Sequence, residues 1–171
     1  MRRPATRPGL PPAERGLPAR AEGVVPEAVW GLSHDSAGMC VRFQSDATTI
    51  SARWTLRRDN LAMPHMPATG VSGLDLYVKD NGNWRWLANG RPTKKGEEQR
   101  LVTGLSPKLR EYILYLPLYN GVEEVKLGVP ATARLEPSPS RPPGIKPIVF
   151  YGTSILQGGC ASRPGMAYPS I

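Results

Sequence analysis

The residue best placed to do chemistry is Ser154, in the run Gly152-Thr153-Ser154-Ile155-Leu156-Gln157-Gly158-Gly159. A serine hydroxyl is a weak nucleophile until a base takes its proton and hydrogen-bond donors stabilise the oxyanion formed on the attacked carbonyl. It must therefore stand where both can converge. A bend between a strand and a helix meets that need. Pro147-Ile148-Val149-Phe150-Tyr151 sets four apolar residues after a proline just ahead of the bend, and this predicts a buried strand. Gly152 removes a side chain from the bend, Gly158-Gly159 lets other backbone come close, and the first N–H groups of a following helix would point at developing negative charge. An ordinary strand-to-helix turn with a capping serine has the same spacing, so spacing alone leaves both readings open.

Other residues with chemical potential are scattered. Met63, His65 and Met66 are soft ligands that could hold copper(I). Methionines packing down as apolar plugs account for them more simply, with His65 leaning toward a neighbouring substrate mouth. Trp84 and Trp86, two apart in one extended stretch, share a face and could stack a sugar or simply pack. Cys40 and Cys160 cannot build a disulfide framework, and no Cys/His cluster suggests zinc; both are expected to be free, buried thiols. No cofactor and no metal is implied.

The elements that must position these residues are mostly strands. Met39, Val41 and Phe43, then Ile50, Ala52, Trp54 and Leu56, alternate with polar or small residues, which predicts a hairpin turning at Ser45-Asp46-Ala47. A second hairpin is expected at Asp80-Asn81-Gly82-Asn83, between Leu74–Lys79 and Trp84–Leu87, followed by another turn at Asn89-Gly90. Strand patterns recur at 99–103, 110–116 and 124–129, with a short one at 133–135. Such spacing without an amphipathic helix predicts an all-β, jelly-roll-like antiparallel sandwich over residues 24–136. The loop 57–73 is the longest interruption, and loops of that length are commonly functional. Residues 1–23, rich in Pro and Arg, are expected to be a disordered basic leader, and 137–147 a stiff Pro-rich linker.

Nineteen Pro and 18 Gly in 171 residues favour turns over long helices. The formal charge of +8 is shared evenly between the leader and the rest, because residues 1–20 hold a net +4. Arg57-Arg58 and Lys94-Lys95 do not sit among aromatics, so no nucleic-acid partner is expected. No apolar run is long enough for a membrane span, and no secretory signal is visible, which leaves the compartment open.

Tyr151-Gly152-Thr153-Ser154-Ile155-Leu156-Gln157-Gly158-Gly159-Cys160-Ala161-Ser162, followed by Arg163-Pro164-Gly165-Met166-Ala167-Tyr168-Pro169, resembles the nucleophile block of SGNH (GDSL-type) hydrolases in which a β-sandwich precedes the catalytic domain. The stretch 60–77 and Trp84-Arg85-Trp86 are similar to that N-terminal domain, so the resemblance covers about residues 24–171. It implies that Ser154 is the nucleophile and that its own N–H is an oxyanion donor, with Thr153 where the family usually has Asp. It also implies that 148–171 is only the strand, turn and helix start of an α/β hydrolase domain. The Gly and Asn completing the oxyanion hole, and the Asp and His that activate the serine, find no counterpart before Ile171; His34 and His65 do not match that His. The expectation is a fragment with little activity, from a parent esterase acting on O-acyl esters, O-acetylated carbohydrate among them, and periplasmic or secreted. The sandwich would pack on the hydrolase domain. Two other readings stand beside it for the sandwich, a carbohydrate-binding module and a purely structural one.

Overall fold

The computed structural model describes residues 16–140, 142–144, 146, 148 and 150–171. Within them a short helix α1 (Glu27–Leu32) leads into eight strands: β1 (Cys40–Ser45), β2 (Thr49–Leu56), β3 (Leu74–Asp80), β4 (Asn83–Gly90), β5 (Gly96–Thr103), β6 (Arg110–Tyr115), β7 (Val122–Gly128) and β8 (Leu135–Pro137). One-turn helices α2 (Ala68–Val71) and α3 (Ser154–Gln157) lie before β3 and after the last strand. All pairings are antiparallel, in a five-stranded sheet ordered β4-β3-β6-β1-β8 and a three-stranded sheet ordered β5-β2-β7. Pairing of β1 with β8, β2 with β7 and β3 with β6 is what a long hairpin gives when it folds over on itself, so the expected jelly-roll-like sandwich is the fold.

Alternation fixes what lies between the sheets. Val41 and Phe43 of β1, Ile50, Ala52, Trp54 and Leu56 of β2, Leu74 and Leu76 of β3, and Tyr112 and Leu114 of β6 face one another in a single apolar cluster. Each fully buried aliphatic side chain contributes roughly 1.5–3 kcal/mol. A solvent-exposed pair such as Arg53–Glu98 contributes at most about 1 kcal/mol, so the core and not the surface charge holds the sheets together. Trp54 is wholly buried, with its indole N–H donated to the Ser72 carbonyl at 3.3 Å. A Cβ on Gly90 would lie 3.0 Å from the Trp54 ring, so that residue is bare because the ring lies against it.

Several expectations need correction. Strands β1 and β2 are not a hairpin: they lie in different sheets, and the connection at 46–48 arches across the core with Ala47 buried beneath it. Both strands have one apolar face, so the pattern serves two facing strands as well as two paired ones. Asn89-Gly90 is not a turn but the end of β4, paired with Asp75 and Leu74. Cys40 and Cys160 form no disulfide, but both are exposed rather than buried. Cys40 occupies an outward position of β1, and Cys160 follows the end of α3 with φ +65°. The strand expected at 148–151 is not formed by its described residues, Ile148, Phe150 and Tyr151, which are exposed and pair with no described strand; Val149 lies outside the described residues. Of the leader, 1–15 lie outside the described residues, whereas 16–23 contain a 3₁₀ turn (Ala19–Ala21) and a hydrogen bond from the Gly16 N–H to the Ser33 carbonyl at 2.8 Å. In the linker Arg141, Ile145 and Pro147 lie outside the described residues, and Pro137 is the last residue of β8.

Candidate active site

Thr153 is the N-cap of α3 in extended conformation, and Ser154 is its first residue, exposed to solvent. The helix stops after four residues because Gly158 takes the left-handed conformation, φ +101°, in a place where Leu118 and Ala167 leave no room for a side chain. The Gly159 N–H closes the turn onto the Ser154 carbonyl at 2.7 Å. Ser154 thus sits at the opening of a helical turn, where backbone N–H groups lack intrahelical acceptors. Its Oγ has no hydrogen-bond partner among the described residues.

A one-turn helix has no stability of its own, because nucleation fixes several residues for a single hydrogen bond. Its geometry must come from what touches it. The Tyr119 hydroxyl, on the β6–β7 connection, donates to the Ser154 carbonyl at 3.0 Å. The Gln157 side-chain amide donates to Asp35 at 3.3 Å and to the Leu118 carbonyl at 3.2 Å. Asp35 is buried and ion-paired with Arg58, whose guanidinium also donates to the Tyr119 carbonyl at 2.6 Å. Asn120, fully buried, accepts the Arg58 N–H at 3.1 Å and donates to the Arg58 carbonyl at 3.0 Å. Between this network and α3 runs a cleft of about 400 Å³, bordered by Leu32, Asp35, Phe150, Thr153, Leu156 and Gln157.

A second attachment holds the chain after α3 to the outer face of the five-stranded sheet. Leu74 and Leu76 of β3 point into the core, which turns Asp75 and Tyr77 outward. Asp75 is nevertheless completely buried, because residues 163–165 cover it. Its carboxylate accepts the Gly165 N–H at 2.8 Å, the Trp86 indole N–H at 2.8 Å and an Arg163 N–H at 3.3 Å. Arg163 lies over the Trp86 ring, 5.0 Å from its centroid, and donates to the Tyr77 hydroxyl at 3.0 Å. Burial pushes the Asp75 carboxyl above the usual aspartate range, and the Gly165, Arg163 and Trp86 donors offset this only in part. A Cβ on Gly165 would overlap the Tyr77 ring, and one on Gly70 would overlap the Ala161 carbonyl, so both glycines are sites of close approach between sandwich and tail.

The remaining residues singled out in the sequence are placed as follows. His65 is exposed at the tip of a two-residue turn closed by reciprocal backbone bonds between Met63 and Met66. Met66 plugs a second apolar cluster with Val71, Leu118 and Ala167, with Met63 and Ala161 packed against it, so the loop 57–73 leans on the segment after α3. His65 does not border the cleft beneath α3. Trp84 and Trp86 keep part of their surface exposed, but Lys79 stands over one ring, 5.8 Å from its centroid, and Arg163 over the other. Sequence reasoning missed Asp75, Arg163, Tyr119 and Asp35. For Asp75 a signal was present, a carboxylate centred in the apolar strand Leu74-Asp75-Leu76; for Tyr119 and Asp35, both in loops, there was none.

The fold has counterparts among known proteins. The family model GxDLY, described as the N-terminus of SGNH-hydrolase-type esterases, matches residues 13–135, and Gly73, Asp75, Leu76 and Tyr77 spell its pattern. The GDSL-like lipase/acylhydrolase family model matches residues 145–171. Among solved structures, a protein of Bacteroides ovatus described as a GDSL-like lipase superposes with a TM-score of 0.81 at 36% identity, over 88% of this chain and 44% of that one. The salicylyl-acyltransferase SsfX3 of a tetracycline biosynthetic pathway superposes with a TM-score of 0.62 at 20% identity, over 90% of this chain and 41% of that one, a likeness of fold alone. The chain thus spans less than half the length of either. A search of curated proteins returned no match.

Proposed function

Because the chain belongs to the SGNH-type esterase family whose N-terminal model covers residues 13–135, we propose that it carries the sandwich, residues 24–136, and the nucleophile, Ser154, of a serine esterase that hydrolyses O-acyl esters. The observation that carries the reading is the exposed hydroxyl at the first residue of α3, inside the segment that matches GDSL-like acylhydrolases. In this mechanism Ser154 Oγ attacks the ester carbonyl carbon while a base takes its proton. The resulting oxyanion is held by donors that include the Ser154 N–H, and the alcohol leaves with a proton returned by the same base. Water then attacks the acyl-serine by the reverse proton path and releases the carboxylic acid. Among the described residues no side chain that could serve as the base or as a further oxyanion donor is hydrogen-bonded to Ser154 Oγ. We therefore propose that they come from elsewhere in the longer enzyme and that this chain alone turns over esters orders of magnitude more slowly. O-acetylated carbohydrate is the substrate class proposed for the intact protein.

The test uses the natural full-length gene product. Hydrolysis of p-nitrophenyl acetate and of an acetylated oligosaccharide is expected to fall by about 10³-fold or more in S154A, with loss of fluorophosphonate labelling. Unchanged turnover in S154A would overturn the assignment. Turnover of the nitrophenyl ester without the acetylated sugar would overturn the substrate class alone.

A further inference from the structure

We infer that Tyr119 is a positioning residue for the reaction, setting the orientation of Ser154 from the sandwich; the inference rests on Ser154 being the nucleophile. The Ser154 carbonyl accepts two hydrogen bonds, one from Gly159 within the turn and one from the Tyr119 hydroxyl, which comes from another domain-forming segment. The plane of the peptide that follows Ser154 is thereby fixed, and with it the ψ angle that sets how the Ser154 side chain and N–H are aimed relative to the helix. Helix α3 is too short to fix that angle itself.

Tyr119 is itself held on both sides. Its N–H donates to the Val71 carbonyl at 3.1 Å, and its carbonyl accepts Arg58, which is ion-paired to buried Asp35. Asp35 in turn accepts from Gln157, at the other end of α3. One rigid network on the sandwich therefore grips the first and last residues of the helix. Gly159 completes the arrangement, since a Cβ there would stand 3.3 Å from the Tyr119 hydroxyl and 3.0 Å from the Ser154 carbonyl, in the space the hydrogen bond occupies. The two partners gripping α3 belong to loops that the sandwich core, not the helix, holds in place.

The test compares Y119F with T69A in the full-length gene product. Thr69 ties the same tail to the sandwich, its hydroxyl donating to the Ser162 carbonyl at 2.6 Å, beyond the end of α3. Misaiming a reacting group by a fraction of an ångström predicts a fall in kcat of about tenfold in Y119F, with KM changed by no more than about twofold. Fluorophosphonate labelling of Ser154 slows in proportion, the melting temperature stays within about 3 °C of the parent, and T69A keeps its kcat. Unchanged kcat in Y119F, or equal losses in Y119F and T69A, would overturn the inference while an inactive S154A left the nucleophile in place. An active S154A would overturn both.

Discussion

Removing the Asp75 carboxylate tests whether the tail that follows Ser154 is held to the sandwich as the geometry requires. In D75A three donors lose their acceptor: the buried Gly165 N–H, the Trp86 indole and Arg163. Trp86 is half exposed and finds water, and Arg163 keeps some access to solvent, so the largest cost falls on Gly165. An orphaned buried donor costs about 1–3 kcal/mol, and the broken ion pair brings the expected total to about 3 kcal/mol. That loss falls on docking of the tail, since the sandwich core does not pass through Asp75. The assay is hydrogen exchange of the Gly165 amide, which opens when the tail lifts. A loss of about 3 kcal/mol accelerates that exchange by roughly 10²-fold, while amides of β2, beside Trp54, change little. D75N is expected to lie between, because an amide offers one acceptor and one donor where the carboxylate offers two acceptors. Exchange at Gly165 unchanged in D75A would refute the clasp.

Two further predictions concern the same contact surface. A methyl at position 70 would overlap the Ala161 carbonyl, so G70A is expected to lose about 2 kcal/mol, seen as a fall in melting temperature of about 4–8 °C. No fall would mean that the tail does not approach α2 so closely. The Asp75 carboxyl is raised chiefly by burial, so the folded chain binds its proton more tightly than the unfolded one. Its contribution is fully present below the unfolded aspartate pKa of about 4 and is lost as pH rises through the raised folded value. The stability of the wild type relative to D75N, measured by urea unfolding, is therefore expected to shrink as pH rises through that window. A difference that grows instead would refute the assigned direction.

How much of this could be read in the sequence depends on how local the cause was. Alternation along β1 and β2 is a property of the residues themselves, and Asn81-Gly82 adopts φ +49° and +84° because those two tolerate the left-handed region, so the β3–β4 hairpin was legible. Which strands pair was not: the apolar face of β1 is satisfied equally by a neighbour in its own sheet or by a core across from it. The start of a helical turn at Ser154 was legible in the Gly-x-Ser pattern, but Tyr119 lies 35 residues from Ser154 and Asp35 122 from Gln157, so nothing near Ser154 reports them. The strand expected before the bend shows the converse failure. Ile148, Phe150 and Tyr151 have strand chemistry, yet a strand needs a partner edge, and they pair with no described strand.

That missing edge bears on the division of labour. In an α/β domain the strand before a nucleophile bend fixes one side of the bend through its sheet. Here the described residues of that segment are exposed, whereas α3 and the tail after it are tied to the sandwich by Tyr119, Asp35, Thr69 and Asp75. The order of α3 at Ser154 therefore derives from loops at one end of the β domain, and that of the tail from α2 and the outer face of one sheet. A sandwich that only tethered the Ser154 segment would need one such contact. One that grips the helix at both ends and buries a carboxylate against the tail constrains direction as well as distance, and direction is what the attack proposed for Ser154 demands.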